Sequence, residues 1–134
     1  MSVPAKVLDS YALLAFFADE PGAAVVEELL LGAQSGKLTA LMSVVNLGEV
    51  WYAVARTTSA ELADAKLDQV RAMAIEIIDA DWPLTVQAAR YKARGRIAYA
   101  DCFAAALAIA RDADLVTGDR EFEEIGAPLR VHWL

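Results

Sequence analysis

Four acidic residues stand where the surrounding sequence is apolar or where a predicted strand ends: Asp9, Glu49, Asp101 and Asp119. Carboxylates brought together raise one another's pKa values unless a cation neutralises them. Ligand sets made only of oxygen suit a hard divalent ion such as Mg²⁺ or Mn²⁺, which pairs naturally with phosphate substrates. The chemistry that such a set would support is metal-assisted hydrolysis of a phosphodiester.

Each acid also has an ordinary structural explanation. Asp9, Asp101 and Asp119 lie at predicted helix starts, where a capping side chain contributes ~1 kcal/mol. Glu49 lies at helical spacing from Asn46, so it can equally belong to the solvated stripe of its helix. What favours a shared site is that Asp9 and Asp119 each follow a predicted strand, because the carboxyl ends of parallel strands border the crevice where ligands bind.

Alternating strands and helices must position these acids, and the pattern indicates an α/β sandwich with a mostly parallel sheet. Strands are predicted at residues 3–8, 37–41, 113–117 and 129–133, with a short one around 77–80. Helices are predicted at residues 11–18, 22–34, 44–56, 60–78, 84–94 and 99–110, with a helical turn at 119–123.

Composition narrows the class of protein. The 134 residues contain no Pro, Gly or Ser tract, so we expect one domain over residues 1–134. A hydrophobic content of 57% excludes intrinsic disorder. DNA-binding modules usually carry a basic surface, whereas this chain has a net charge of -7. Any contact with nucleic acid must therefore be local or mediated by a cation. Cys102 is the one cysteine, which excludes an internal disulfide framework or thiolate zinc site.

The sequence predicts a cytoplasmic protein with no membrane segment. Residues 1–10 (MSVPAKVLDS) do not resemble a secretion signal, and no run approaches 18 uncharged apolar residues.

Four segments in the same order resemble the PIN-domain ribonucleases, and more narrowly the VapC-type toxins of toxin–antitoxin pairs. They are VLDSYALLAFF, SVVNLGEVWYA, YADCFAAALA and LVTGDREF. The resemblance implies a PIN-like three-layer sandwich, with a central, mostly parallel five-stranded sheet flanked by helices. It also implies Mg²⁺-dependent endoribonuclease activity with Mn²⁺ as a substitute, an RNA substrate, a homodimer and an antitoxin partner.

The same resemblance assigns roles to residues. Asp9, Asp101 and Asp119 would be the principal catalytic acids and metal ligands, and Glu49 would complete the set directly or through water. Thr117 occupies a position where the family often has a hydroxyl, which would hold a water or an acid in place. A threonine at a strand end is an equally good explanation of Thr117.

Two surfaces are candidates for binding. Arg94 and Arg96 belong to a basic run before Asp101 and could contact RNA phosphates, although a solvated helix face explains such a run as well. Residues 11–18 (YALLAFFA) are more apolar than a surface helix needs, and Trp51 and Tyr52 could extend that patch. The resemblance favours a groove there for an antitoxin helix.

Two non-catalytic alternatives remain. A phospho-acceptor receiver module normally has neighbouring acids after its first strand and a lysine after its last strand. Here Ser10 follows Asp9, and the C-terminal LRVHWL contains no lysine. The other alternative is a PIN-like domain that binds RNA or protein without turnover.

Overall fold

The computed structural model describes residues 3–134 and contains a five-stranded sheet in which every pairing is parallel. The strands are β1 (Ala5–Leu8), β2 (Thr39–Ser43), β3 (Ile75–Ile78), β4 (Asp114–Thr117) and β5 (Val131–Trp133). The helices are α1 (Ser10–Phe17), α2 (Ala23–Gln34), α3 (Val44–Thr57), α4 (Ala60–Ala72), α5 (Trp82–Arg94) and α6 (Tyr99–Ala110). A 3-10 helix at Arg120–Glu124 follows β4.

The strand order β3-β2-β1-β4-β5 places β1 at the centre, between β2 and β4. Val7 is in register with Leu41 on one side and with Leu115 on the other. The chain winds from β1 outward to β3 and then returns to β4, so the direction of winding reverses between β1 and β4. A reversal of this kind opens a crevice at the carboxyl ends of the two strands.

Two apolar clusters cover the two faces of the sheet, because successive strand residues point to opposite sides. Val7 and Leu115 pack with α5 and α6. Residues 102–108 of α6 are all buried. Leu8 and Val116 pack with α1, α2, α3 and α4. The expected three-layer arrangement with a five-stranded parallel sheet is therefore confirmed, and Cys102 is a buried member of the α6 layer.

One predicted element is wrong. The helix predicted at residues 60–78 is too long, because α4 ends at Ala72. Ile75–Ile78 forms β3, which begins two residues before the strand predicted at 77–80. Met73 already has extended backbone angles, and β3 pairs with residues 40–43 of β2. The β-branched Ile75, Ile77 and Ile78 fit a pleated edge better than a helix, and pairing with β2 outweighs the helical spacing.

None of the helices found within residues 3–134 is long and apolar enough to cross a membrane.

Candidate metal centre at the carboxyl edge of the sheet

Asp9 follows β1 directly and caps α1. Its Oδ1 accepts a hydrogen bond from the Ala12 backbone N–H at 2.9 Å, and the residue is only 1% exposed. Burial raises the pKa of Asp9 from 3.8 to about 7, although hydrogen bonds with Thr117 and Ala12 act in the opposite direction. The charges of Asp119 and Glu49 raise this pKa further. Asp9 is thus a buried carboxyl group that faces other acids.

Asp119 follows β4, the parallel neighbour of β1. Its backbone N–H donates to Oγ1 of the fully buried Thr117 at 3.0 Å. Its own Oδ1 accepts the Glu121 N–H at 3.0 Å, which caps the 3-10 helix. Asp119 therefore caps this helix, as its position in the sequence predicts. The same turn places its carboxylate at the crevice beside β1 and β4.

Asp101 lies in the first turn of α6 and is 8% exposed. Burial raises its pKa from 3.8 to about 7, and the charge of Glu49, followed by that of Asp119, is the next largest cause. Asp9 and Glu121 raise the same pKa. Asp101 therefore lies within electrostatic reach of four acids from three other segments of the chain.

Glu49 is held by a buried amide on α3. Asn46 Nδ2 donates to Glu49 Oε1 at 2.9 Å and to the Ala100 carbonyl at 3.0 Å, so Asn46 ties α3 to the start of α6. Asn46, which shares helical spacing with Glu49, is not part of a solvated stripe, because the residue has no exposed surface. Its Oδ1 is buried without a hydrogen-bond partner among residues 3–134.

The tightest group of acids includes one that the sequence analysis missed. Carboxylate oxygens of Asp101, Asp119 and Glu121 lie within 4.8 Å of one another. Spacing gives no signal for Glu121, since side chains two residues apart on a helix do not face each other, and only the structure places it beside Asp119. Asp9 and Glu49 are outside this set, although their charges act on it.

The chemistry of the donor set fits a hard divalent cation. All five acids offer oxygen, and two of them hold protons up to about neutral pH when no cation compensates their charge. Mg²⁺ and Mn²⁺ are the ions that carboxylate-only sites bind most naturally.

The two candidate RNA-binding arginines are exposed near the start of α6. The Arg94 guanidinium lies 4.9 Å from the centre of the Tyr91 ring, and the Arg96 backbone is held by Glu124. Both side chains border the segment that leads to Asp101.

Comparison with known proteins identifies the family of this chain. The family model described as the PIN domain matches residues 6–128. The chain belongs to the PIN-domain family. This PIN domain is similar in structure to VapBC2 from Rickettsia felis bound to a DNA fragment from its promoter, with a TM-score of 0.76 and 25% identity over 96% of this chain and 97% of that one.

Two further structures show the same fold. DNA-bound VapBC from Salmonella typhimurium gives a TM-score of 0.75 at 19% identity, with 98% of both chains covered. VapC20 of Mycobacterium tuberculosis, a Sarcin-Ricin loop cleaving toxin, gives 0.70 at 17% identity, with 90% of this chain and 95% of that one covered. No curated protein sequence matches this one.

This PIN domain therefore has a fold like that of the VapC toxins, in a family whose members are generally nucleases. The receiver alternative is excluded, because receiver domains have the sheet order 2-1-3-4-5 and this sheet has the order 3-2-1-4-5.

Proposed function

We propose that this protein is a Mg²⁺-dependent endoribonuclease that hydrolyses RNA phosphodiester bonds and acts as the toxin of a toxin–antitoxin pair. The observation that carries the proposal is the convergence of Asp101, Asp119 and Glu121 within 4.8 Å, next to the buried Asp9, in a PIN domain.

Each residue of the site has a distinct role in this proposal. Asp101, Asp119 and Glu121 hold the cation, and Asp9 and Glu49 complete the site directly or through water. When bound, the divalent ion lowers the pKa of a water molecule and offsets the charge that develops on the phosphate. Thr117, hydrogen-bonded to the backbone of Asp119 and to the side chain of Asp9, keeps two of these acids in place. Asn46 orients Glu49 in the same way.

Electrostatics explains why a cation is needed. RNA approaches a protein of net charge -7 at an edge where five acids meet, so its phosphates are repelled unless positive charge is added there. Asp9 and Asp101, with pKa values near 7, must lose their protons to act as ligands, so cation binding releases protons and strengthens as pH rises.

The test of the proposal is RNA cleavage by the purified protein. We expect cleavage with Mg²⁺ or Mn²⁺, no cleavage in EDTA, and a loss of roughly 100-fold or more in Asp101→Asn or Asp119→Asn. Asp68→Asn is the matched control, because Asp68 is exposed on α4 and its loss changes the net charge equally. RNA binding without turnover in the wild-type protein would instead support the non-catalytic PIN-like module.

For RNA binding, we propose that Arg94 and Arg96 contact phosphates next to the acidic site. Contacts of this kind position the strand without reading its sequence. Arg94→Gln and Arg96→Gln should each weaken RNA binding uniformly across sequences and reduce the salt dependence by about one phosphate contact. An unchanged salt dependence in both variants would remove this role.

For the antitoxin partner, we propose an amphipathic helix in the groove between α1, α3 and α4. Leu14, Phe17, Val54 and Leu62 line this groove, so one end of the apolar segment at residues 11–18 contributes to it. The indole of Trp51 donates to Asp64 on α4 at 2.9 Å, which commits that ring to packing between α3 and α4. The VapBC structures to which this chain is similar are complexes of a VapC toxin with its antitoxin.

Co-purification tests the partner proposal. We expect a small basic-tailed protein encoded beside this one to co-purify with it, and RNA cleavage to appear once that protein is removed. Leu62→Glu should break the complex without affecting cleavage, since Leu62 is 39% exposed and lies on the groove. The resemblance to VapC toxins also leads us to propose a homodimer, which light scattering of the purified protein would test.

A further inference from the structure

The segment at residues 95–98 sets the position of Asp101, because it leads into α6 two residues before that acid. Ala98 is the N-cap of α6 and makes no side-chain capping hydrogen bond. Most helix starts are fixed by a capping side chain of their own. The start of α6 must therefore be fixed by contacts from another part of the chain.

Glu124 provides those contacts. Its Oε1 accepts the Arg96 backbone N–H at 2.8 Å, and its Oε2 accepts the Ile97 N–H at 2.9 Å. Because both oxygens are used, the two bonds fix orientation as well as distance. Glu124 ends the 3-10 helix that begins after Asp119 and contains Glu121. The Glu124 side chain thus joins the segment before Asp101 to the segment that carries Asp119 and Glu121.

Gly95 is needed for this contact. Its φ of -152° is extended backbone that any residue adopts, so conformational freedom does not explain the glycine. A Cβ at this position would lie 2.6 Å from Glu124 Oε1 and 2.8 Å from Cδ. Gly95 ends α5, and its missing side chain makes room for the Glu124 carboxylate.

Other contacts also hold these two segments in place. Ile97 and Phe122 are both buried in the apolar cluster that contains α6. Lys92 Nζ donates to the Ile97 carbonyl at 3.1 Å, on the other side of the same peptide segment. The hydrogen bonds from Arg96 and Ile97, with the charge of Lys92, keep the pKa of Glu124 below its usual value, so the carboxylate is ionised at neutral pH.

We propose that Glu124 is a positioning residue of the candidate metal centre, whose paired hydrogen bonds to residues 96 and 97 align Asp101 with Asp119 and Glu121 and thereby set divalent-cation affinity. The inference rests on the proposed function. Groups that orient metal ligands typically contribute 10–100-fold to metal affinity. Because Glu124 is exposed, water can replace its hydrogen bonds at little cost in folding free energy. We therefore expect the loss of Glu124 to lower cation affinity more than stability.

The test is titration of MnCl₂ into the purified full-length protein, followed by calorimetry and by the electron paramagnetic resonance of bound Mn²⁺. Glu124→Gln replaces one accepting oxygen by an N–H₂ group, and we expect about 10-fold weaker Mn²⁺ binding. Glu123→Gln is the matched control, since the adjacent Glu123 is exposed, pairs with Arg120 at 3.2 Å and loses the same charge. The control should change affinity by less than about twofold, because surface charge is screened.

A second variant, at Gly95, tests the same contact by changing the residue that makes room for the Glu124 carboxylate. Gly95→Ala should displace the Glu124 carboxylate and weaken Mn²⁺ binding similarly, and adding Glu124→Gln should cause little further loss, since both changes break one interaction. Equal Mn²⁺ affinity in wild type and Glu124→Gln would overturn this inference alone. Failure of the wild type to bind Mn²⁺ would overturn the proposed function together with it.

Hydrogen exchange covers the case in which Glu124→Gln does not fold. In the wild-type protein the Arg96 and Ile97 amides should exchange slowly, and Gly95→Ala should make them faster without affecting amides in β1. Wild-type exchange at the rate of an open loop would overturn the proposed role.

Discussion

Asp9→Asn is expected to stabilise the protein without metal at pH 8 although it removes a proposed ligand. Burial raises the pKa of Asp9 from 3.8 to about 7, so the folded protein resists ionisation of a group that ionises freely in the unfolded chain. Well below pH 3.8 the group is protonated in both states and makes no difference. Between pH 4 and pH 7 it increasingly destabilises the fold, and above pH 7 the full effect is present.

The magnitude follows from the size of the shift. At 1.36 kcal/mol for each pKa unit, the wild-type carboxylate destabilises the metal-free fold at pH 8 by at most about 4 kcal/mol. Asparagine caps helices as well as aspartate does, so the hydrogen bond from Ala12 is kept. We therefore expect Asp9→Asn to be about 2–4 kcal/mol more stable than wild type at pH 8 and less than about 1 kcal/mol more stable at pH 4.

Urea unfolding in EDTA, followed by far-ultraviolet circular dichroism at several pH values, measures this difference. Asp68→Asn on α4 is the control and should show no gain at either pH. Mg²⁺ at about 1,000 times its dissociation constant should cancel or reverse this difference, since it then stabilises the wild type by about 4.1 kcal/mol and the variant binds it poorly. A variant no more stable than wild type at pH 8 in EDTA would show that Asp9 is not a strained buried carboxylate.

Three other changes have defined outcomes. Asn46→Ala should lower the free energy of unfolding in urea by roughly 1–3 kcal/mol, because the buried hydrogen bonds to Glu49 and Ala100 are lost. RNA cleavage should fall as well. Unchanged stability would contradict the role given to this amide. Gly118→Ala should cost about 1–3 kcal/mol, because its Cβ would lie 2.6 Å from Cζ of Tyr11, and Tyr11→Ala in the same chain should recover most of the loss. Lys6 and Arg130 bond to Asp114 and hold its pKa below the usual value, so this pairing stabilises the fold above about pH 4 and is lost as pH falls further. Urea unfolding between pH 2 and pH 6 should therefore show a shallower acid loss in Asp114→Asn than in wild type.

Local sequence was sufficient to predict most of the secondary structure. Capping residues and apolar spacing located α1, α3, α5 and α6 to within a few residues, because these signals act over one or two helical turns. The boundary between α4 and β3 could not be located in this way. Met73 and Ile77 continue the helical spacing of α4, and only the neighbouring β2 decides that residues 75–78 pair as a strand.

The sequence by itself determined four of the five acids that could form the site. Asp9, Glu49, Asp101 and Asp119 stand out because their neighbours are apolar or end a strand, and that property is local. Tertiary structure decided which of them meet, because the packing of α6 on the sheet and the turn after β4 bring Asp101 and Asp119 together with Glu121. It also decided that Asn46 is buried and that Glu124 reaches residues 96 and 97, since contacts across 54 and 28 residues leave no periodic signal in the chain.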